Sequence, residues 1–283
     1  MLVVNMAQNT ESIQIAPDEL KNRIREYWNR PETRAPHTSR FGTKSEMVAW
    51  KTYLHNEFKD EKLRILDVGT GTGFLSISLA ELGHQVVGID LSEGMISFAK
   101  KVADERGLNI DLVVGDAESL DFDNDYFDVV VSRWVLWTLL DPEKAISEWM
   151  RVLKPGGRAY EFGVARSEKR DGLCQQIKQN LGFFLIMALE RKDPRLIQSS
   201  YGKDLNGKGL EKRLPLHYSN TNSNNNEWKF FENQGFVDLT TTLMKEVDMH
   251  RKKKGMPLQH KLAWGNYDKI MTYCLSGRKP VRD

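Results

Sequence analysis

Residues 65–73 read Ile-Leu-Asp-Val-Gly-Thr-Gly-Thr-Gly, an apolar run closed by three alternating glycines. Such a run before a helix-forming stretch is a strand-to-helix junction. Glycine there permits a tight turn and lets backbone N–H groups approach a ligand at the helix start. The alternation continues downstream. Leu63–Val68, Gln85–Asp90, Ile110–Val114, Phe127–Ser132 and Arg158–Gly163 are predicted strands. Ser76–Leu82, Glu93–Arg106 and Pro142–Val152 are predicted helices, Gly107 stops the second, and Lys154–Gly157 reads as a turn. Apolar strands alternating with helices predict an α/β core with a parallel sheet covered on both faces.

Other segments flank this core. At the front, Pro17-Asp18-Glu19 opens a helix with Leu20, Ile24, Tyr27 and Trp28 on one face, broken by Pro31 and Pro36. A second helix carries Met47, Trp50, Tyr53 and Leu54. The two helices serve either as packing on the core or as a lid over a pocket. After the core, Leu173–Glu190 reads as a long helix, Ser199–Gly209 as polar and glycine-rich, and Ser219–Asn226 as a loop. The rhythm resumes with a helix at Glu227–Gln234 and strands at Phe236–Leu243 and Tyr267–Leu275. The expected organisation is a helical cap at 1–60, the α/β core at 61–164, an insertion at 165–225, and completion of the core at 226–283.

Composition excludes several function classes. A net charge of +2 over 283 residues gives no concentrated cationic face for nucleic acid. The longest clean apolar run, Phe183–Leu189, is far short of the roughly 20 residues of a membrane span. The first residues lack the basic start of a signal peptide. Two cysteines make neither a disulfide framework nor a four-cysteine zinc site, and no metal is expected. A cytoplasmic protein follows as the expectation. Arg251–Lys254 reads as a solvated basic loop.

The glycine spacing separates cofactor classes. A dinucleotide fingerprint is G-x-G-x-x-G, whereas here the glycines fall at 69, 71 and 73 and Phe74 takes the place of the third dinucleotide glycine. Asp67, two residues before the turn, disfavours a pyrophosphate and favours a cationic ligand. Asp90 ends the second strand, where a carboxylate can accept both ribose hydroxyls of a nucleoside. Ser92 can cap the next helix. Asp116 follows the third strand, at the edge of an adenine or as the cap of a turn.

Five segments stand in order: Asp67–Gly73, Gly88–Ser92, Gly115–Ala117, Phe127–Val130 and Leu153–Gly157. Together, over about residues 60–165, they resemble the class I S-adenosylmethionine-dependent methyltransferases of the small-molecule type, with a weaker likeness to quinone methyltransferases. The resemblance implies a Rossmann-like, doubly wound, seven-stranded sheet with the last strand antiparallel. It implies S-adenosylmethionine as cofactor and a small-molecule acceptor methylated at O, N, S or activated carbon. Gly69, Gly71 and Gly73, with Thr70, would line the methionine end, and Asp67 would balance its positive region. Asp90 would hold the ribose, Leu91 would flank the adenine, Asp116 and Ala117 would meet its edge, and Met95 would also contact the cofactor. Ser132, Arg133 and Trp134 would face the methyl group.

Many relatives carry a histidine near Trp134 that is missing here, so no general base is assigned. Trp28, His37 and Trp134 are the candidate substrate contacts, and His217 lies in the insertion. Two further readings stand beside this one: a nicotinamide-dependent oxidoreductase on a related sheet, and a catalytically silent cofactor-binding protein.

Overall fold

The computed structural model describes residues 16–31, 44–59, 62–166, 181, 184, 185, 188, 223–252 and 270–281. In chain order these form α1 (Pro17–Asn29), α2 (Lys44–Phe58), β1 (Arg64–Val68), α3 (Phe74–Glu81), β2 (Gln85–Asp90), α4 (Glu93–Glu105) and β3 (Asp111–Val114). Then come β4 (Phe127–Arg133), a short 3-10 turn at Leu136–Thr138, α5 (Pro142–Val152), β5 (Leu153–Arg166), α6 (Ser223–Asn233), β6 (Val237–Leu243), α7 (Lys245–Lys252) and β7 (Ile270–Arg278). The seven strands make one sheet in the order β3-β2-β1-β4-β5-β7-β6. β1 pairs in parallel with β2 and β4, whereas β7 runs antiparallel to both β5 and β6. The last strand is therefore the reversed one, as the resemblance implies.

Alternating side chains along these strands feed two cores. Leu66, Val68, Val130, Ala159, Tyr273 and Leu275 pack one face against Trp149 of α5 and Phe231 of α6. Ile65, Val129, Val131, Tyr160 and Phe162 pack the other against Trp50 and Leu54 of α2, Leu75 of α3 and Val247 of α7. Burial on both faces is why these strands read as apolar runs rather than as alternating patterns.

Helix ends follow local chemistry. Asp18 and Glu19 fill the first turn of α1, and its chain leaves in extended form at Arg30, before Pro31. Ser92 caps α4 by accepting the Met95 N–H at 3.1 Å, and Asp141 caps α5 by accepting the Lys144 N–H at 2.9 Å.

Four sequence readings need correction. Lys154–Gly157 lies within β5, as an irregularity where the register with β4 jumps from Phe127↔Leu153 to Val129↔Arg158. Paired backbone hydrogen bonds between Gly156, Gly157 and Lys279 hold that excursion against the chain beyond β7. Ser223–Asn226, read as loop from its polar composition, is the first turn of α6. Arg251 and Lys252 belong to helix α7, which the sequence did not suggest. Finally, α3 begins at Phe74 rather than Ser76, because Gly73 in the left-handed region starts it. The helix expected at Leu173–Glu190 lies outside the described residues, except Leu181, Phe184, Leu185 and Ala188, which are helical.

Among the described residues, no helix is long and apolar enough to cross a membrane. Nor do three or more His, Cys, Asp and Glu side chains gather there to hold a metal ion.

Candidate cofactor and acceptor site

The C-terminal ends of β1, β2 and β4 meet at the glycine loop. Gly69, Gly71 and Gly73 have φ of 68°, 56° and 87°, a region that strongly favours glycine. Their surroundings differ. A Cβ on Gly69 would stand 2.3 Å from Val135, and one on Gly73 would press on Ile77 and Ala99 at 3.0 and 3.1 Å. A Cβ on Gly71 would meet only a carbonyl oxygen, at 4.0 Å. Gly69 thus admits the segment after β4, Gly73 seats α3 against α4, and Gly71 faces open space. Thr70 is buried; its N–H donates to Ile89 O, and its hydroxyl pairs with Ser76 Oγ at 2.8 Å.

Two carboxylates organise the loop from below and from the side. Asp67 is 1% exposed, and its Oδ2 accepts the Ser76 N–H at 3.0 Å and the Ser76 hydroxyl at 2.6 Å. Burial raises its carboxyl, while Ser76, Thr70 and the Arg133 charge work the other way. Asp90 Oδ2 accepts the Gly71 N–H and Oδ1 the Ser92 N–H, both at 2.9 Å. Burial pushes the Asp90 carboxyl up to about 6, against those two hydrogen bonds and with help from the Asp67 charge. Each Asp90 oxygen keeps a further lone pair, and the residue is partly exposed.

Helix α1 covers the far side. Lys21 Nζ bridges Asp116 Oδ2 at 2.7 Å and Glu118 Oε2 at 2.6 Å. Glu118 is buried, and its other oxygen accepts the Leu140 and Asp141 N–H groups. Asn29 Oδ1 accepts the Ser92 hydroxyl at 2.8 Å and the Gly94 N–H at 3.0 Å. Leu20 and Ile24 pack with Tyr27, Trp28, Leu91, Trp137 and Leu140. Leu91, Met95, Asp116 and Ala117 thus stand along the edge that α1 closes; Met95 and Ala117 are buried, at 3% and 8% exposure.

After β4 the chain turns sharply. Trp134 has φ +63°, rare for a bulky residue, and its N–H donates to Phe162 O at 3.0 Å. A residue held there stores about 1–3 kcal/mol of strain, and such strain clusters at functional sites. The Arg133 guanidinium lies over the rings of Trp134 and Phe74, at 4.0 and 4.1 Å.

The structure therefore brings together Asp67, Gly69–Gly73, Asp90, Leu91, Met95, Asp116, Ala117, Arg133 and Trp134, with Trp28 on the α1 side. His37 and His217 lie outside the described residues. Sequence reasoning missed Lys21, Asn29, Ser76 and Glu118, whose roles depend on contacts distant in the chain. It also missed Glu161, although a lone acid within Ala159-Tyr-Glu-Phe162 of an apolar strand is a visible signal.

This donor set fits a nucleoside with a cationic amino-acid tail. Gly71 offers open approach at a helix start, Asp90 offers acceptor lone pairs, and Arg133 offers a cation for a carboxylate.

Residues 66–160 match the family model described as a methyltransferase domain. That stretch is similar to methyltransferase domains, and it carries the fold its motifs imply. A demethylmenaquinone methyltransferase of Clavibacter sepedonicus is 43% identical over 97 residues, 34% of this chain and 38% of its own. A ubiquinone biosynthesis O-methyltransferase of Coxiella burnetii is 34% identical over 117 residues, 41% of this chain and 50% of its own. The chain thus spans half or less of these relatives' length. A solved structure of a SAM-dependent methyltransferase from Methanosarcina mazei shares the fold, with a TM-score of 0.53 and 23% identity, covering 81% of this chain and 98% of that one.

Proposed function

We propose that the protein transfers a methyl group from S-adenosylmethionine to a small-molecule acceptor, at O, N, S or activated carbon. The observation that carries this reading is the pairing of Asp90 with the one glycine of the loop that faces open space. Asp90 accepts the ribose hydroxyls with its spare lone pairs while holding the Gly71 turn in place. Leu91, Met95, Asp116 and Ala117 line the adenine side. Arg133 pairs with the carboxylate of the methionine end, and Asp67 fixes the start of α3 through Ser76.

When bound, the cofactor would supply an electrophilic methyl group, whose carbon would bond in line to the acceptor as its bond to sulfur breaks and S-adenosylhomocysteine leaves. The chain's part is to align acceptor and methyl group and to keep water out. Helix α1, latched by Lys21 and Asn29, serves as the cover, and Trp28 and Trp134 shape the acceptor side. The names of the Clavibacter and Coxiella relatives support a small-molecule acceptor. The reading extends to a cytoplasmic protein without a nucleic-acid partner, supported by the buried free thiol of Cys274 and the +2 charge. Incubation with methyl-labelled cofactor and a metabolite extract, followed by mass spectrometry, tests it. A labelled small molecule is expected, and retention of all label in the cofactor contradicts the reading.

A further inference from the structure

Ser132 and Glu161 sit side by side in the β4–β5 register, on the sheet face that packs against α5 and α6. Both are buried, at 0% and 1% exposure; the Ser132 hydroxyl and the Trp134 N–H lie against the Glu161 carboxyl, yet Ser132 Oγ and Glu161 Oε2 each lack a well-formed hydrogen bond. A second carboxyl, Glu227 of α6, reaches the same place at 5% exposure and accepts the hydroxyl of Tyr273 from β7. The chain makes room for this group: a Cβ on Gly163 would stand 2.2 Å from the Tyr273 ring. Two residues beyond Ser132 comes the strained Trp134, at the end of the sheet where the glycine loop lies.

Buried polar atoms are normally satisfied, and a carboxyl pair without a cation is the costliest exception. Among the described residues, no lysine or arginine forms an ion pair with Glu161 or Glu227. Burial and the Glu227 charge push Glu161 well up against the Ser132 hydroxyl and the Trp134 N–H, and burial pushes Glu227 up to about 7 against the Tyr273 hydroxyl. Both shifts are what carboxyls show when a positive partner is missing. Among the described residues, Glu161, Glu227 and Ser132 supply acceptors and negative charge with no cationic group beside them.

We propose that Glu161, backed by Glu227 and Tyr273 and flanked by Ser132, is the subsite that receives a protonated amine of the acceptor molecule. The placement as an acceptor subsite rests on the methyltransferase reading above; the affinity for an ammonium group does not. Glu161 Oε2 and Ser132 Oγ accept the ammonium N–H groups, and Tyr273 holds Glu227 in place beneath them. The acceptor class is then an amine, or a compound carrying an amine beside the methylated atom.

The test uses the full chain loaded with S-adenosylhomocysteine, titrated with ethylammonium chloride and, separately, with ethanol, a neutral probe of similar size. Melting temperature is followed at constant ionic strength. A dose-dependent rise with ethylammonium and none with ethanol is expected. Glu161→Gln, with unchanged S-adenosylhomocysteine affinity, should weaken the ethylammonium response about tenfold or more, as loss of a charge-assisted hydrogen bond implies. Equal responses to the two probes in the wild-type protein overturn the proposal, as does no response to either. An undiminished response in Glu161→Gln also overturns it, and the wild-type comparison decides if that variant does not fold. Failure to bind S-adenosylhomocysteine at all strikes instead at the methyltransferase reading.

Discussion

Asp90 Oδ2 accepts the backbone N–H of Gly71 at 2.9 Å, which ties the acid at the tip of β2 to the open glycine of the loop after β1. The residue proposed to hold the ribose therefore also sets the shape of the turn that receives the rest of the cofactor. Asp90→Ala removes a charged acceptor from the ribose and releases the turn. A charge-assisted hydrogen bond is worth about 1.5–3 kcal/mol, so S-adenosylhomocysteine affinity should fall by about tenfold or more by calorimetry.

The same carboxyl gives a pH dependence. It is pushed up to about 6, above the ordinary aspartate value of about 3.9. Between the two, the folded protein holds more protons than the unfolded chain, so this group's contribution to stability falls as pH rises through that window. Cofactor binding runs the other way, because ribose hydroxyls need the ionised acceptor. Affinity should decline as pH drops below about 6, and Asp90→Asn should flatten the profile. A profile of the same slope in the variant would assign the titration to another group.

Gly69 and Gly71 should separate by experiment. Gly69→Ala adds a methyl group forced into Val135 to the left-handed backbone penalty and should cost about 2–5 kcal/mol of stability by denaturant unfolding. Gly71→Ala meets no neighbour and carries only the left-handed backbone penalty, about 1–2 kcal/mol. Its additional effect should be on cofactor affinity, since the new methyl group points where the ligand approaches.

Lys21 is the latch of α1. Lys21→Met leaves Asp116 and the buried Glu118 without their cation. Hydrogen-exchange protection of 17–29 should fall markedly while that of β1 and β2 is unchanged. Removal of residues 1–40 should leave cofactor affinity within a few-fold and abolish transfer. A truncated protein with full turnover would make α1 structural cover only.

The sequence made the cofactor side of the site legible because its chemistry is local. A strand, a glycine turn and an acid at a strand tip are each encoded within a few residues, so Gly69–Gly73 and Asp90 could be placed before any fold was known. Periodicity likewise found α1, α2 and the core strands in their succession along the chain. What escaped depends on distant pairing. Lys21 reads as an ordinary solvated residue of an amphipathic helix until Asp116 and Glu118 are brought under it. Ser223–Asn226 looks like loop because asparagine favours turns, but α6 packs Phe231 into the core and carries its polar first turn along. Glu161 and Glu227 lie 66 positions apart and share a site only because β5 and α6 meet on one sheet face.

The central claim, that the glycine loop and Asp90 form an S-adenosylmethionine site, is tested most directly by isothermal calorimetry on the folded chain. Both S-adenosylmethionine and S-adenosylhomocysteine should bind with micromolar dissociation constants, about −8 kcal/mol each. Absence of binding by either, in protein shown to be folded and with NADH as a parallel titrant, would contradict it.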